Sequence, residues 1–171
     1  NELNTKKKDI ELKTGKKINV VAISAKNINK KRQFKINKKI FFKNPLDIFS
    51  KTNVDILFEV IGLSDGISKK VVETALKKKI HVITPNKALI SKHGNELAKI
   101  AELNNVNLEF EASVAGGIPI LRSIKEGLAT NKISKVYGIL NGTSNYILSE
   151  MENSNQSFSD VLKKAQKLGY A

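Results

Sequence analysis

Ten residues, Glu111-Ala112-Ser113-Val114-Ala115-Gly116-Gly117-Ile118-Pro119-Ile120, join an apolar run, Val106–Phe110, to a helix-like stretch, Leu121–Thr130. Two adjacent glycines and a proline lie at the join. Glycine admits positive φ and lets the backbone come close to a ligand. A strand, a small-residue loop and a helix start together present N–H and C=O groups to a ligand or an ion. On pattern alone the same residues also make a tight strand-to-helix turn with no ligand. A second small, polar stretch, Asn141-Gly142-Thr143-Ser144-Asn145, and a basic one, Lys26-Asn27-Ile28-Asn29-Lys30-Lys31-Arg32, are the other places where side chains of one chemical kind gather.

These stretches need elements to hold them. Ile18–Ser24 reads as a β-branched strand apolar on both faces, as in a buried parallel sheet. Ile40–Phe42 is a short strand candidate, and Pro45 opens a short helix through about Ser50. Val54–Ile61 is the second strong strand. Ser64 or Asp65 can cap a helix from about Ile67 to Lys79, whose apolar positions Val71, Val72, Ala75 and Leu76 recur at helical spacing. Ile80–Thr84 is a third strand, broken by Pro85-Asn86. A helix follows from Lys87, with Gly94 a weak point or break in it. Val106–Phe110 is the last strand of the series.

Strand and helix alternate from Ile18 to Phe110, which predicts an α/β layer with a mostly parallel sheet. Ligands sit past the carboxyl ends of such strands. The ligand-facing stretches are then Ser24–Arg32, Gly62–Asp65, Thr84–Lys87 and Glu111–Gly117. Beyond Ile133–Leu140, a helix is expected from about Tyr146 to Met151. A last one opens at Ser157-Phe158-Ser159-Asp160 and stops at Gly169. Residues Asn1–Lys17 are polar and Lys-rich, the end of a helix or, on composition, a solvated linker.

The 171 residues hold no Cys, which excludes disulfides and thiolate metal sites within them. No apolar run approaches a membrane span of roughly 20 residues, and the first residues lack the apolar centre of a signal peptide. A soluble, cytoplasmic protein is expected. The chain does not begin with Met, so it is not expected to start where translation starts. The formal charge of +14 invites a nucleic-acid reading. Against it, only Arg32 and Arg122 are arginines, the lysines are dispersed, and aromatics do not interleave with them.

Thr84-Pro85-Asn86-Lys87-Ala88-Leu89, then Glu111 to Pro119, then Gly138-Ile139-Leu140-Asn141-Gly142-Thr143-Ser144-Asn145-Tyr146-Ile147-Leu148, with the closing Leu168-Gly169-Tyr170-Ala171, resemble homoserine dehydrogenase in order and spacing. The resemblance implies a Rossmann-type NAD(P)-binding domain, its first strand missing, in a mostly parallel α/β sheet, followed by an α+β catalytic and dimerisation domain, and an NAD(P)-dependent oxidoreductase that interconverts L-homoserine and L-aspartate 4-semialdehyde on the route to threonine, methionine and isoleucine. It implies a homodimer acting on a small molecule, without nucleic acid or membrane. Residues 1–17 would then be a lead-in, 18–115 a partial cofactor domain and 116–171 the beginning of the catalytic domain.

Residue by residue, Lys87 matches the family lysine that lies against nicotinamide and substrate. Glu111, Val114, Gly116 and Ile118 match the loop that holds a monovalent cation such as Na+, largely through backbone oxygens. Gly142 and Thr143 match the loop facing cofactor and substrate. Lys26 and Arg32 follow a strand end with no acid nearby, which favours NADP over NAD, since basic residues suit a 2′-phosphate. The family's Gly-x-Gly-x-x-Gly turn is absent from Asn1–Lys17, and its acid and lysine for proton transfer fall beyond Ala171. The expectation is an internal fragment, inactive alone. A related NAD(P)-dependent semialdehyde or amino-acid dehydrogenase is the alternative within enzymes. A basic α/β nucleic-acid-binding module is the alternative outside them.

Overall fold

A computed structural model describes residues 2–32, 34, 36–139 and 141–170, with the side chain of Asn4 left out. Two helices, α1 (Glu2–Thr5) and α2 (Lys7–Thr14), occupy the Lys-rich start that composition favoured as a linker. They are held by local pairs, Lys6–Glu2 at 2.9 Å and Lys13–Asp9 at 3.1 Å, each one helical turn apart. Strand β1 (Ile23–Ser24) pairs in parallel with β2 (Phe41–Phe42). A 3-10 turn at Pro45–Asp47, capped by the Asn44 side chain, leads into α3 (Ile48–Lys51).

The second sheet follows the expected alternation: β3 (Ile56–Phe58), α4 (Ile67–Lys77), β4 (His81–Ile83), α5 (Lys87–Leu103), β5 (Leu108–Glu109), with strand order β3-β4-β5 and every pairing parallel. Ile56 faces His81, and Val82 faces Leu108. Helices α4 and α5 cover one face. Val72, Ala75 and Leu76 from α4 meet Leu89, Leu97 and Ala101 from α5 over Val82 and Leu108, all buried. Sealing a Leu side chain this way contributes roughly 1.5–3 kcal/mol each.

Three expectations need correcting. The Ile18–Ser24 run shortens to Ile23–Ser24, and Ile18, Val20 and Val21 are exposed rather than buried. Among the described residues β1 has a strand neighbour on one side only, so nothing covers the rest of the run. The α4 cap is neither Ser64 nor Asp65: Gly66, at φ +65°, stands before the first turn, and Asp65 turns to α5 instead. Helix α5 runs unbroken through Gly94 because its flanking turns are pinned in the core by Leu89 and Leu97.

After β5 come a single helical turn, α6 (Glu111–Val114), and the short α7 (Ile120–Arg122). The helix expected over Leu121–Thr130 widens at once into a π-turn, Ser123–Gly127, where Leu128 N–H reaches the Ser123 carbonyl at 3.1 Å. The chain divides into two compact units, Asn1–Arg122 and Ser123–Ala171. In the second, α8 (Gly142–Ser154) and α9 (Phe158–Lys167) pack through Ile147, Val161 and Ala165. Ser157 caps α9, its hydroxyl oxygen accepting Asp160 N–H at 3.3 Å as its sequence predicted. Gly169, at φ +77°, turns the chain so that Tyr170 N–H closes on the Ala165 carbonyl at 2.9 Å. Leu140 and Ala171, which fall in two of the matched motifs, lie outside the described residues.

Candidate active site

A parallel sheet sends its carboxyl ends to one edge, and β3, β4 and β5 are adjacent. The loops that leave them, Glu59–Gly66, Thr84–Asn86 and Phe110–Pro119, therefore emerge side by side. The middle loop is fixed most tightly. Thr84 N–H donates to the Glu109 carbonyl at 2.9 Å, which ties it to β5. Glu59 N–H donates to the Ile83 carbonyl at 3.0 Å, which ties it to β3. Asn86 caps α5 with its side-chain oxygen, accepting Leu89 N–H at 3.1 Å.

Lys87 is the first residue of that helix and is exposed. It has no hydrogen-bonded or ionic partner among the described residues. An ammonium at this position is free to meet an anionic or carbonyl oxygen and hold charge on it.

The Glu111 carboxylate bridges the next loop. Its two oxygens accept the Leu121 N–H at 2.8 Å and the Arg122 N–H at 2.9 Å, which anchors the start of α7. The carbonyl of Glu111 accepts Ala115 N–H at 3.0 Å and that of Ile118 accepts Ile120 N–H at 2.9 Å, each keeping a second lone pair. Gly117 takes φ +81°, and a Cβ at Gly116 would meet no atom within 4 Å, so the backbone there faces open space. This oxygen-rich, open turn suits a hard monovalent cation held by carbonyls. Among the described residues no group of three His, Cys, Asp or Glu side chains gathers as a metal site.

The basic loop is folded around one of its own cations. The Arg32 guanidinium donates to the carbonyls of Asn27 at 2.7 Å, Lys30 at 2.9 Å and Ile28 at 3.0 Å. Arg32 is thus engaged in folding the loop on itself. A pocket of about 270 Å³ is lined by Ile28, Asn29, Lys30, Arg32, Phe34, Ile36 and Lys38. Lys26 lines a different, larger groove.

In the second unit, Gly142 and Thr143 open α8, capped by Asn141, whose side chain accepts Ser144 N–H at 2.8 Å. A Cβ at Gly142 would also meet open space. The Thr143 hydroxyl donates to the Tyr170 carbonyl, and the Tyr146 and Tyr170 rings lie 4.9 Å apart. The start of α8 and the turn after α9 are therefore tied together.

Glu59 is the residue that the sequence reading passed over. It follows β3, is 1% exposed, and draws donors from four segments. Its carboxylate accepts Ile61 N–H at 2.7 Å, the Ser68 hydroxyl at 3.1 Å, the Thr84 hydroxyl at 2.6 Å and the Asn86 amide at 3.3 Å. An acid inside the apolar run Val54–Ile61 is the one local sign of it. Nearby, Asp65 accepts from Lys92 at 2.7 Å and meets His93 at 2.9 Å, joining the β3 loop to α5. Lys92 first, then His93 and Ser64, hold the Asp65 carboxyl well below its ordinary value.

Comparison with known proteins finds the same family throughout. The family model for the homoserine dehydrogenase NAD binding domain matches residues 2–111, and that for homoserine dehydrogenase matches residues 119–171. The chain is 50% identical over 117 residues to the homoserine dehydrogenase of Neisseria gonorrhoeae, covering 68% of this chain and 27% of that protein. It is 40% identical over 154 residues to that of Bacillus subtilis, covering 90% of this chain and 35% of that protein. The crystal structure of a homoserine dehydrogenase from Thiobacillus denitrificans superposes with a TM-score of 0.78 at 39% identity, over 99% of this chain and 39% of that one. The chain thus spans about a third or less of the curated relatives it matches.

Proposed function

We propose that this chain, which belongs to the homoserine dehydrogenase family, is part of an NAD(P)-dependent oxidoreductase that interconverts L-homoserine and L-aspartate 4-semialdehyde. The observation that carries the reading is the placement of Lys87. It stands exposed and without a partner among the described residues, on the first turn of α5, where the loops after β3, β4 and β5 meet. When bound, the nicotinamide would supply the hydride acceptor or donor. Lys87 orients the substrate oxygen and stabilises charge on it as the C–H bond forms or breaks.

The other assignments follow the family's motifs. Residues 18–115 are read as a partial cofactor domain and 116–171 as the beginning of the catalytic domain. The carbonyls of Glu111, Val114, Gly116 and Ile118 hold a monovalent cation such as Na+. Gly142 and Thr143 face cofactor and substrate. NADP is favoured by a basic loop without an acid, although Arg32 acts there by shaping the loop, which leaves Lys26 as the cation of the pair without a partner among the described residues. A cytoplasmic homodimer is the assembly in which the complete enzyme works. The 171 residues alone are inactive in this reading: they hold no Gly-x-Gly-x-x-Gly turn.

The test uses the longer polypeptide that contains this chain. NADPH absorbance is followed with aspartate semialdehyde, beside NADH, for wild type and Lys87→Ala. Oxidation that requires the semialdehyde, prefers NADPH and falls by at least about 10²-fold in the variant supports the reading. No turnover with either nucleotide from a folded protein refutes it.

A further inference from the structure

We infer that Glu59 is a positioning residue: through Thr84 and Asn86 its buried carboxylate sets where the first turn of α5 begins, and hence where Lys87 stands. The inference rests on the role given to Lys87 above only for its effect on turnover. The placement itself is a matter of geometry.

Five donors converge on this carboxylate: the N–H groups of Ile61 at 2.7 Å and Gly62 at 3.4 Å, the hydroxyls of Ser68 at 3.1 Å and Thr84 at 2.6 Å, and the Asn86 amide at 3.3 Å. They come from the loop after β3, from α4, from the end of β4 and from the cap of α5. No cation pairs with Glu59 among the described residues. A buried anion balanced only by dipoles is a costly way to stabilise a core, and apolar packing of equal volume is often as stable or more so. What the carboxylate offers instead is direction. It accepts at several lone pairs and donates nothing, so each partner must present a hydrogen to it.

The partners pass that constraint on. The Thr84 hydroxyl, whose proton goes to Glu59, accepts Asn86 N–H at 3.0 Å. The Asn86 amide, while donating to Glu59, also donates to the Leu63 carbonyl at 2.9 Å, and its oxygen accepts Leu89 N–H. The residue directly before Lys87 is thus held by backbone and side chain at once. A shift of about 1 Å in a group that orients a substrate can cost on the order of 10²-fold in rate.

Glu59→Gln keeps the shape and replaces one acceptor oxygen by a donor, which must then face another donor. In the longer polypeptide containing this chain, hydrogen exchange of the Asn86 and Leu89 amides is expected to quicken at least tenfold, with Leu97–Leu103 unchanged. The kcat is expected to fall about 10–100-fold with the KM for NADPH within about twofold, and less than additively with Lys87→Ala. Unchanged exchange at Asn86 and Leu89, or loosening spread evenly along α5, overturns the inference, as does full additivity where Lys87→Ala itself lowers kcat. If Lys87→Ala leaves kcat intact while Glu59→Gln still loosens those two amides, the role of Lys87 falls and the positioning by Glu59 stands. Should Glu59→Gln not fold, Thr84→Val replaces it: this keeps the Asn86 side-chain cap on Leu89 and removes the hydroxyl that donates to Glu59, with the same exchange expected. Failure of both to fold would make Glu59 a folding determinant and overturn the inference.

Discussion

A lysine at the first position of a helix stands at the wrong end for the helix dipole, whose N-terminus is already positive. Lys87 is placed there, and no carboxylate among the described residues offsets it. Its removal should therefore help the fold while harming the reaction. Lys87→Ala is expected to raise the unfolding free energy by about 0.3–1 kcal/mol, read from urea midpoints, in the same protein whose turnover it removes. A drop in stability would mean that Lys87 holds the fold through some contact of its own. Lys87 and the Glu111 loop could be singled out in the sequence because their motifs are contiguous. Glu59 could not, because its side-chain partners Ser68, Thr84 and Asn86 lie 9, 25 and 27 positions away. Arg32 was read by its charge, and only the folded loop reveals that three carbonyls engage it.

Elements were legible wherever their burial is set by near neighbours. Helices α4 and α5 follow their apolar spacing because each packs on the other and on the strands beside it in sequence. Ends were less so: the start of α4 was expected at an Asp65 or Ser64 cap, whereas Asp65 spends its carboxylate on Lys92 and His93 of α5. That cross-element tie has a pH signature. The folded state holds the Asp65 carboxyl below its ordinary value of 3.8, so the unfolded chain binds the proton more readily. The tie's contribution is fully present above about pH 5 and is lost as pH falls through the unfolded value toward the lowered one. Asp65→Asn removes it at every pH. Urea midpoints of wild type and variant, taken from pH 7 down to pH 3, are expected to differ most at the top of the range and to draw closer below about pH 4, as the unfolded carboxyl takes up its proton. A gap that stays constant would show that Asp65 acts without its charge.

Scale matters most for what the first unit leaves uncovered. Among the described residues its two sheets each end in a strand paired on one side only, β1 in one and β3 in the other. An apolar groove of about 560 Å³ is lined by Val20 to Ala25 from the flank of β1 and by Leu57 to Ile61 from β3 and its extension. Val20, Val21, Phe58, Val60 and Ile61 are exposed in it. The sequence marked Ile18–Ser24 as a buried strand and Val54–Ile61 as a strong one, since both are largely apolar; whether such a run is covered depends on a neighbour that the run itself cannot specify. An exposed apolar groove of this kind can take up apolar probes. A net charge of +14 limits self-association without covering the groove. The purified 171-residue polypeptide should therefore brighten an anionic apolar dye such as ANS at neutral pH while its far-ultraviolet dichroism shows the helices intact. The paired substitution Phe58→Ser and Val60→Ser should remove most of that fluorescence without changing the dichroism, because both side chains are already exposed and contribute little to the core. Dye fluorescence that survives the double substitution would place the apolar surface elsewhere, and none in the wild type would mean that the groove closes in solution.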